Sequence, residues 1–399
     1  MSLLNAAERF ASIDRSTVVL EPDRCLRTQD QYSACAACQD VCPAEAIQFG
    51  KPPVLDTETC QLCLACLPAC PTGAIQADDG VAPLLNCATR LETTTIELVC
   101  EKHTSPETGT ADSGAVRIRG CLAGLGSGTY LMLAALGIEK VIVRTDACAS
   151  CEWRGLKAKV IRQISQARQL LGVWGREDHI VCAFEVENPV ERPLWEASNP
   201  PLSRRDLFRM AAQQGQVAMA RAMENKATHS EKLAGRDRRR LLGALEHLPG
   251  MRSAQPMSLK NFGFANLSIS ETCTACGACA HACPTQALRY EQAEDDSSFT
   301  LTFSVRDCIG CDVCEHVCAP GAITIDHAPL FEQVFGTAEA VTVRTDQLVR
   351  CARCHTLTAR RDGTDLCAVC EYRRANPFGS MLPPGMKIPE RLAKKKRVP

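Results

Sequence analysis

Between residues 86 and about 185, short apolar runs alternate with longer stretches whose apolar positions recur at helical spacing. Residues 95–99, 115–118, 141–143 and 179–184 read as strands, and 130–136 and 156–171 as helices. Strands alternating with helices predict a parallel α/β sheet. On either side the pattern shortens. Brief extended segments that end on an acidic residue, at 18–23, 54–58 and 301–307, lead into dense cysteine runs. One apolar residue trails each run: Ile47, Ile75, Leu288 and Ile323. From 190 to 258 there is no cysteine and the strand pattern fades, which predicts a helical bridge.

The chain has 399 residues, enough for two to four domains. Apolar residues make up 45% and charged ones 23%, which excludes a disordered chain. With 45 basic against 46 acidic residues the net charge is −1, so no field over the whole chain recruits nucleic acid or membrane. No apolar run reaches about 18 residues, and no transmembrane segment is expected. The first ten residues show no signal-peptide pattern.

Cysteine changes the picture. There are 26, against only 5% aromatic residues, so something other than a hydrocarbon core organises much of the protein. Bunched cysteines without a secretory signal predict thiolates on metal in a reducing, cytoplasmic setting rather than disulfides. Cys60, Cys63, Cys66 and Cys70 follow C-x2-C-x2-C-x3-C with Pro71 behind them, as do Cys273, Cys276, Cys279 and Cys283 with Pro284. Cys308, Cys311, Cys314 and Cys318 repeat the spacing, with the proline one place later at Pro320. A fourth run is stretched: Cys25 precedes Cys35 by ten positions, and Cys35, Cys38, Cys42 and Pro43 then follow in order.

These runs resemble bacterial ferredoxins with two [4Fe–4S] clusters, in which the fourth cysteine of each run serves the other cluster. The resemblance implies that Cys60, Cys63, Cys66 and Cys42 hold one cluster and Cys25, Cys35, Cys38 and Cys70 its partner. It likewise implies Cys273, Cys276, Cys279 and Cys318 for a third, and Cys308, Cys311, Cys314 and Cys283 for a fourth. Cys25 departs from the usual spacing, and the alternative is a free thiol beside a three-iron cluster. Clusters whose irons are all cysteine-ligated pass electrons and bind no substrate.

Six cysteines remain in the middle: Cys87, Cys100, Cys121, Cys148, Cys151 and Cys182. Cys100, Cys121 and Cys148 fall at or just past the ends of predicted strands. The carboxyl ends of a parallel sheet share one edge, where such sheets place ligands. Cys100, Cys121, Cys148 and Cys151 are therefore expected to converge, either on a cluster or as buried thiols; Cys87 and Cys182 are expected to be structural. The constellation resembles the delta subunit of methyl-viologen-reducing hydrogenases, which implies a [2Fe–2S] cluster. That family links hydrogenases or formate dehydrogenases to heterodisulfide reductases. His103 stands where the family has a cysteine, which leaves a Cys/His-ligated cluster open.

Gly124, Gly126 and Gly128 open the first predicted helix, with Asp146 further on, and imitate a dinucleotide fingerprint. The spacing is G-x-G-x-G, and a tight turn into the helix explains it as well. Near residue 203, Ser-Arg-Arg-Asp-Leu-Phe-Arg resembles a twin-arginine signal but reads as a helix start capped by Ser203. Arg236, Arg238, Arg239 and Arg240 read as a solvated helix face, with docking of an acidic partner as the alternative. Cys351, Cys354, Cys367 and Cys370 form C-x2-C-x12-C-x2-C, two knuckles suited to zinc, with rubredoxin-type iron as the alternative. No glycine follows Cys354 or Cys370, which favours zinc.

The expected fold is an α+β multidomain chain. A dicluster ferredoxin-like module spans 1–85, an α/β parallel-sheet domain 86–190 and a helical linker 191–258. A second dicluster module spans 259–335, a zinc ribbon 340–376 and a basic tail 377–399. The expected cofactors are four [4Fe–4S] clusters, one [2Fe–2S] cluster and one zinc. The expected role is a cytoplasmic electron-transfer subunit beside a catalytic oxidoreductase subunit and a redox donor or acceptor protein, with no catalytic residues of its own and no nucleic acid. The alternatives are a self-contained flavin- or NAD(P)-dependent reductase, and an iron–sulfur DNA-binding regulator.

Overall fold

The computed structural model describes residues 17–201, 234–252, 256–336 and 340–376. The chain forms two compact units, one of Met1–Thr28 with Ala34–Gln255, the other of Gln29–Ser33 with Pro256–Pro399. Among the described residues no helix is long and apolar enough to cross a membrane.

The first unit opens with two small antiparallel pairs. β1 (Val19–Leu20) pairs with β4 (Ile75–Gln76), and β2 (Ile47–Gln48) with β3 (Val54–Leu55). Between them a four-residue helix, α1 (Cys66–Ala69), carries the end of a cysteine run. Strands this short bury little apolar surface. Val18, Ile47, Leu64, Leu67 and Ile75 pack instead around Cys25, Cys66 and Cys70, so thiols form much of the core.

After α2 (Val81–Ala88) comes the α/β region. It contains β5 (Thr95–Cys100), β6 (Thr108–Gly109), β7 (Gly114–Ile118), α3 (Gly126–Ala135), β8 (Lys140–Arg144), α4 (Lys157–Gly172), β9 (Ile180–Ala183), β10 (Val190–Glu191) and β11 (Leu194–Glu196). Five strands form one parallel sheet in the order β11-β7-β5-β8-β9, and β6 pairs with β10 apart from it. Near-continuous apolar runs such as Ile96–Val99 suit a sheet covered on both faces. The order reverses at β5, whose neighbours are β7 and β8; ligands of open α/β sheets bind beyond the carboxyl ends at such a point. The sheet also extends past the expected boundary at 190, because β11 joins its edge beside β7.

α5 (Arg236–His247) turns Leu241, Leu242, Ala244 and Leu245 inward and packs along α3. The expected bridge is thus, over these residues, a helix of the first unit; its residues 202–233, Ser203 among them, and 253–255 lie outside the described residues, as does the tail at 377–399. The basic cluster differs from the solvated face expected. Arg236 donates to the Ala77 carbonyl and to Gln76 Oε1, each at 2.6 Å, and Arg240 pairs with Asp79 at 2.8 Å. Those acceptors lie at and just after β4, so the arginines fasten α5 to the first cysteine-rich module.

The second unit repeats the small module. β12 (Asn266–Ile269) pairs with β15 (Ile323–Asp326), and short helices α6 (Ala278–His281) and α7 (Val313–His316) end the cysteine runs. β13 (Leu288–Gln292), β14 (Ser298–Phe303), β16 (Val341–Arg350) and β17 (Leu357–Ala359) form one four-stranded sheet in that order. β16 gives its first part to β14 and its last three residues to β17, so the module and the knuckle segment share a sheet. α8 (Ala368–Ala375) follows the second knuckle.

Candidate metal centres

None of the 26 cysteines is in a disulfide. In each module a tight loop holds three cysteines, and left-handed residues such as Leu62, Leu64, Ala275, Gly277, Gly310 and Asp312 bend that loop. Such bends let successive thiols of a loop face the same side.

The charges felt by individual thiols show which sulfurs share a site. Burial pushes the Cys38 thiol up to about 11, helped by the charges of Cys70, Cys35 and Cys25. Burial raises Cys66 further still, followed by Cys63, Cys60, Cys38 and Cys42. In the second unit burial raises Cys279 to about 12, with Cys276, Cys273 and Cys318 behind it, while burial and then Cys308, Cys283, Cys311 and Cys279 raise Cys314. The structure thus places these cysteines beside members of the crossed sets that the resemblance implies, Cys25 included, and brings the two sets of each module close together, Cys38 near Cys66 and Cys279 near Cys314. Cys283, Cys308, Cys311 and Cys314 also line one cavity, walled by Leu267, Leu288, Phe303, Ile309 and Ile325. Crowded, desolvated thiols hold their protons unless a cation replaces them, and iron supplies that charge.

Backbone amides point at several sulfurs. Ala74 donates to Cys70 Sγ at 3.1 Å, Ala322 to Cys318 Sγ at 3.2 Å and Gly310 to Cys308 Sγ at 3.4 Å. Such donors stabilise the more negative state of a thiolate-bound centre and so tune its potential. Thr72 and Thr285, both buried, place their hydroxyls 3.8 Å from Cys70 Sγ and Cys283 Sγ. Sequence reasoning missed this pair, though the repeated Cys-Pro-Thr carried the signal.

At the carboxyl edge of the sheet, Cys100 ends β5, Cys121 follows β7, and Cys148 and Cys151 follow β8. All four line one cavity with Lys102, His103, Arg144, Trp153 and Lys157. Burial lifts Cys121 to about 12 and Cys148 to about 11; Cys100 and Cys151 add to the rise at Cys148, which Lys157 offsets. Four convergent sulfurs edged by cations fit a small anionic cluster. Cys87 is fully buried on α2, and Cys182 on β9 lies 3.3 Å from the Thr145 hydroxyl; both stand outside the residues lining the cavity.

His103 lines the cavity, but both its ring nitrogens are engaged. Nδ1 accepts from the Ser105 amide at 3.1 Å and Nε2 faces Asp146 Oδ1 at 3.3 Å. This differs from the Cys/His ligation left open above: the ring orients a loop. Behind it runs a chain of buried charges that the sequence did not reveal. Asp146 is gripped by Arg144, Arg144 by Glu97, and Glu97 by Arg192, with Glu97 fully inaccessible. Burial alone would raise the Glu97 carboxyl; hydrogen bonds from Arg192, Arg144 and the Thr110 amide bring it down to about 2.

The glycine-rich turn proves to be a packing device. The Gly128 amide at the start of α3 donates to Asp237 Oδ1 at 2.8 Å. A Cβ on Gly128 would lie 2.3 Å from the Asp237 carbonyl, and one on Gly126, which has φ +76°, 2.2 Å from Asp237 Oδ1. The place at the helix N-terminus that a phosphate would take is filled by the protein's own carboxylate.

Cys351, Cys354, Cys367 and Cys370 bring their sulfurs within 4.8 Å of one another, close enough for one ion. Backbone amides of Cys354 and Cys367 pull the Cys351 thiol down to about 6, while burial pushes the Cys370 thiol up to about 12. The absence of glycine does not discriminate as expected. His355 takes φ +61° and donates its amide to the Cys351 carbonyl at 2.9 Å, a turn glycine would otherwise supply. The knuckle therefore suits zinc or iron.

With these geometries in place, comparison with protein families shows that residues 272–322 match the 4Fe-4S dicluster domain and residues 53–76 the 4Fe-4S binding domain. Comparison with curated proteins gives no match. The chain contains two ferredoxin-type 4Fe–4S domains, and these domains with the Cys351–Cys370 group point to electron transfer.

Proposed function

We propose that this chain is an iron–sulfur electron-transfer subunit of a cytoplasmic oxidoreductase complex. The observation that carries the reading is the crossed grouping of sixteen cysteines, twelve of them inside segments that match 4Fe–4S families. Cys25, Cys35, Cys38 and Cys70; Cys42, Cys60, Cys63 and Cys66; Cys273, Cys276, Cys279 and Cys318; and Cys283, Cys308, Cys311 and Cys314 would each hold one [4Fe–4S] cluster. Cys100, Cys121, Cys148 and Cys151 would hold a [2Fe–2S] cluster, supported by their shared cavity and by the hydrogenase delta-subunit resemblance. Cys351, Cys354, Cys367 and Cys370 would hold zinc.

Bound clusters would supply one-electron chemistry. The residues desolvate the sites, donate backbone hydrogen bonds to sulfur and surround the central site with Lys102, Arg144 and Lys157. Four thiols in each set would leave no cluster iron open to substrate, which favours a relay over a catalyst. A catalytic partner resembling a hydrogenase, formate dehydrogenase or heterodisulfide reductase follows from the same resemblance. Asp237 beneath the glycine-rich turn weighs against a nucleotide-dependent reductase.

Iron, zinc and acid-labile sulfide counted on anaerobically purified protein, with EPR of the reduced state, test the reading. It requires about 18 irons and one zinc per chain; about 16 irons would remove the central cluster, and colourless protein would remove the relay. Co-purification with a catalytic subunit tests the complex, and a stable monomer that oxidises a substrate unaided would overturn it.

A further inference from the structure

Within the first unit, the first module and the central sheet meet at two cysteine loops. The Cys121 amide donates to the Cys63 carbonyl at 3.2 Å. Both residues belong to candidate ligand sets, so one hydrogen bond joins the two sets with no other residue between them. Gly120 permits the approach: it has φ +71°, and a Cβ there would sit 3.1 Å from the Leu62 carbonyl oxygen and 3.3 Å from that of Cys63. Gly124 meets Leu64 in the same way, with a Cβ placed 2.9 Å from that of Leu64.

A second grip lies beside the first. The indole N–H of Trp153 donates to Gln61 Oε1 at 2.7 Å, and the Trp153 backbone amide lies 3.4 Å from Cys151 Sγ. Lys102 Nζ caps the indole ring, 4.4 Å from its centroid. The loop that carries Cys60 and Cys63 is thus clamped to Cys121 on one side and to the Cys151 turn on the other. The loop after Cys70, from the other set of the module, is covered by different residues. Gly235 donates to the Pro71 carbonyl at 2.9 Å, and Arg24 donates to that of Thr72 at 2.8 Å.

We propose that the Cys63–Cys121 hydrogen bond, held in place by Gln61 and Trp153, is the electron crossing between the Cys42/Cys60/Cys63/Cys66 centre and the central centre. The inference rests on the reading that both sites hold clusters. One electron leaves one centre and enters the other; the first is oxidised and the second reduced by one unit, and no bond breaks and no proton moves. Electron transfer weakens steeply with each gap through space, and a path of covalent bonds interrupted by one hydrogen bond is short. The Cys25/Cys35/Cys38/Cys70 centre reaches the central one through its neighbour, and Gln61 and Trp153 are positioning residues.

The test uses the full chain with its clusters, purified without air. Metal and sulfide counts establish first that the central centre is present. EPR spin relaxation of that centre is then followed while the centres of the first module are reduced stepwise. The expected result is faster relaxation when the Cys42/Cys60/Cys63/Cys66 centre is reduced. The acceleration persists in Arg24→Met, which loosens the loop after Cys70 of the other set, and is lost in Gly120→Val, which pushes the Leu62 and Cys63 carbonyls away. Trp153→Phe, which keeps a ring but removes the indole donor, weakens it. A central centre that is present by count yet relaxes independently of that neighbour overturns the crossing and leaves the cluster assignment standing. A central site without iron overturns both. Should Gly120→Val fail to fold, the unaltered chain and Trp153→Phe decide the matter.

Discussion

Asp237 provides a quantitative test of why α5 sits where it does. Its carboxylate is pressed beneath α3, and burial raises its pKa from the ordinary 3.8 to about 6, against the pull of the Gly128 amide and Arg240. A shift of about two units corresponds to roughly 3 kcal/mol of penalty on the ionised form. The side chain is only partly buried, so screening reduces this to about 1–2 kcal/mol. A group whose folded pKa is raised binds its proton more tightly when docked. The penalty is absent below the unfolded value near 3.8, grows as pH rises toward 6 and is complete above it. Asp237→Asn keeps an oxygen acceptor for Gly128 and removes the charge. Native-state hydrogen exchange of α3 and α5, compared with the unaltered chain at equal pH, should show about 5–30-fold greater protection at pH 7 and little difference near pH 4. A negative charge at a helix N-terminus is itself favourable by up to about 1 kcal/mol. If the variant were less protected at pH 7, that attraction would outweigh burial and the reasoning would be wrong.

Three further outcomes follow from the geometry. Cys370→Ser should release the knuckle ion while the iron count stays unchanged. It should also hasten chelator attack on the Cys273 set, because β17 lies over its loop: the Ala359 amide and Thr358 hydroxyl both donate to the Thr274 carbonyl at 3.4 Å; unaltered chelation kinetics would contradict this. Arg144→Met strips one of two cations from buried Glu97 and should cost about 3–5 kcal/mol in urea unfolding of the first unit. In the unaltered chain Glu97's contribution is complete above about 4.5 and is lost as pH falls toward 2. His103→Ala should leave iron and sulfide unchanged, yet destabilise the first unit by about 1–3 kcal/mol, because the Ser105 amide and Asp146 lose a partner; loss of central iron would make the ring a ligand.

Much of this was legible in the chain because ligand spacing is a local property. The three-cysteine loops, the strands β5, β7, β8 and β9 and the helices α3 and α4 follow from patterns a few residues long, and so does the convergence of strand-end cysteines. What escaped were partnerships across long separations. Nothing near Arg144 announces Glu97, and nothing near Gly128 announces Asp237, because burial selects such pairs only once the sheet has closed. Arg236 and Arg240 read as solvated for the same reason: their acceptors at β4 lie far back in the chain. Glycine at 126 and 128 was visible, but its reason, a neighbouring carboxylate or backbone at contact distance, belongs to packing.

The shared sheet of the second unit has a practical consequence for anyone shortening this chain. A truncation placed between residues 336 and 340 looks natural, since it separates two cysteine motifs. It would strip β16 from β14 and bare a full row of amides and carbonyls along a strand whose Phe299, Leu301 and Phe303 are buried. An uncovered edge of that kind recruits other chains. The excised ferredoxin fragment would be prone to aggregate for reasons unrelated to its iron, and a soluble version has to keep the polypeptide through β16.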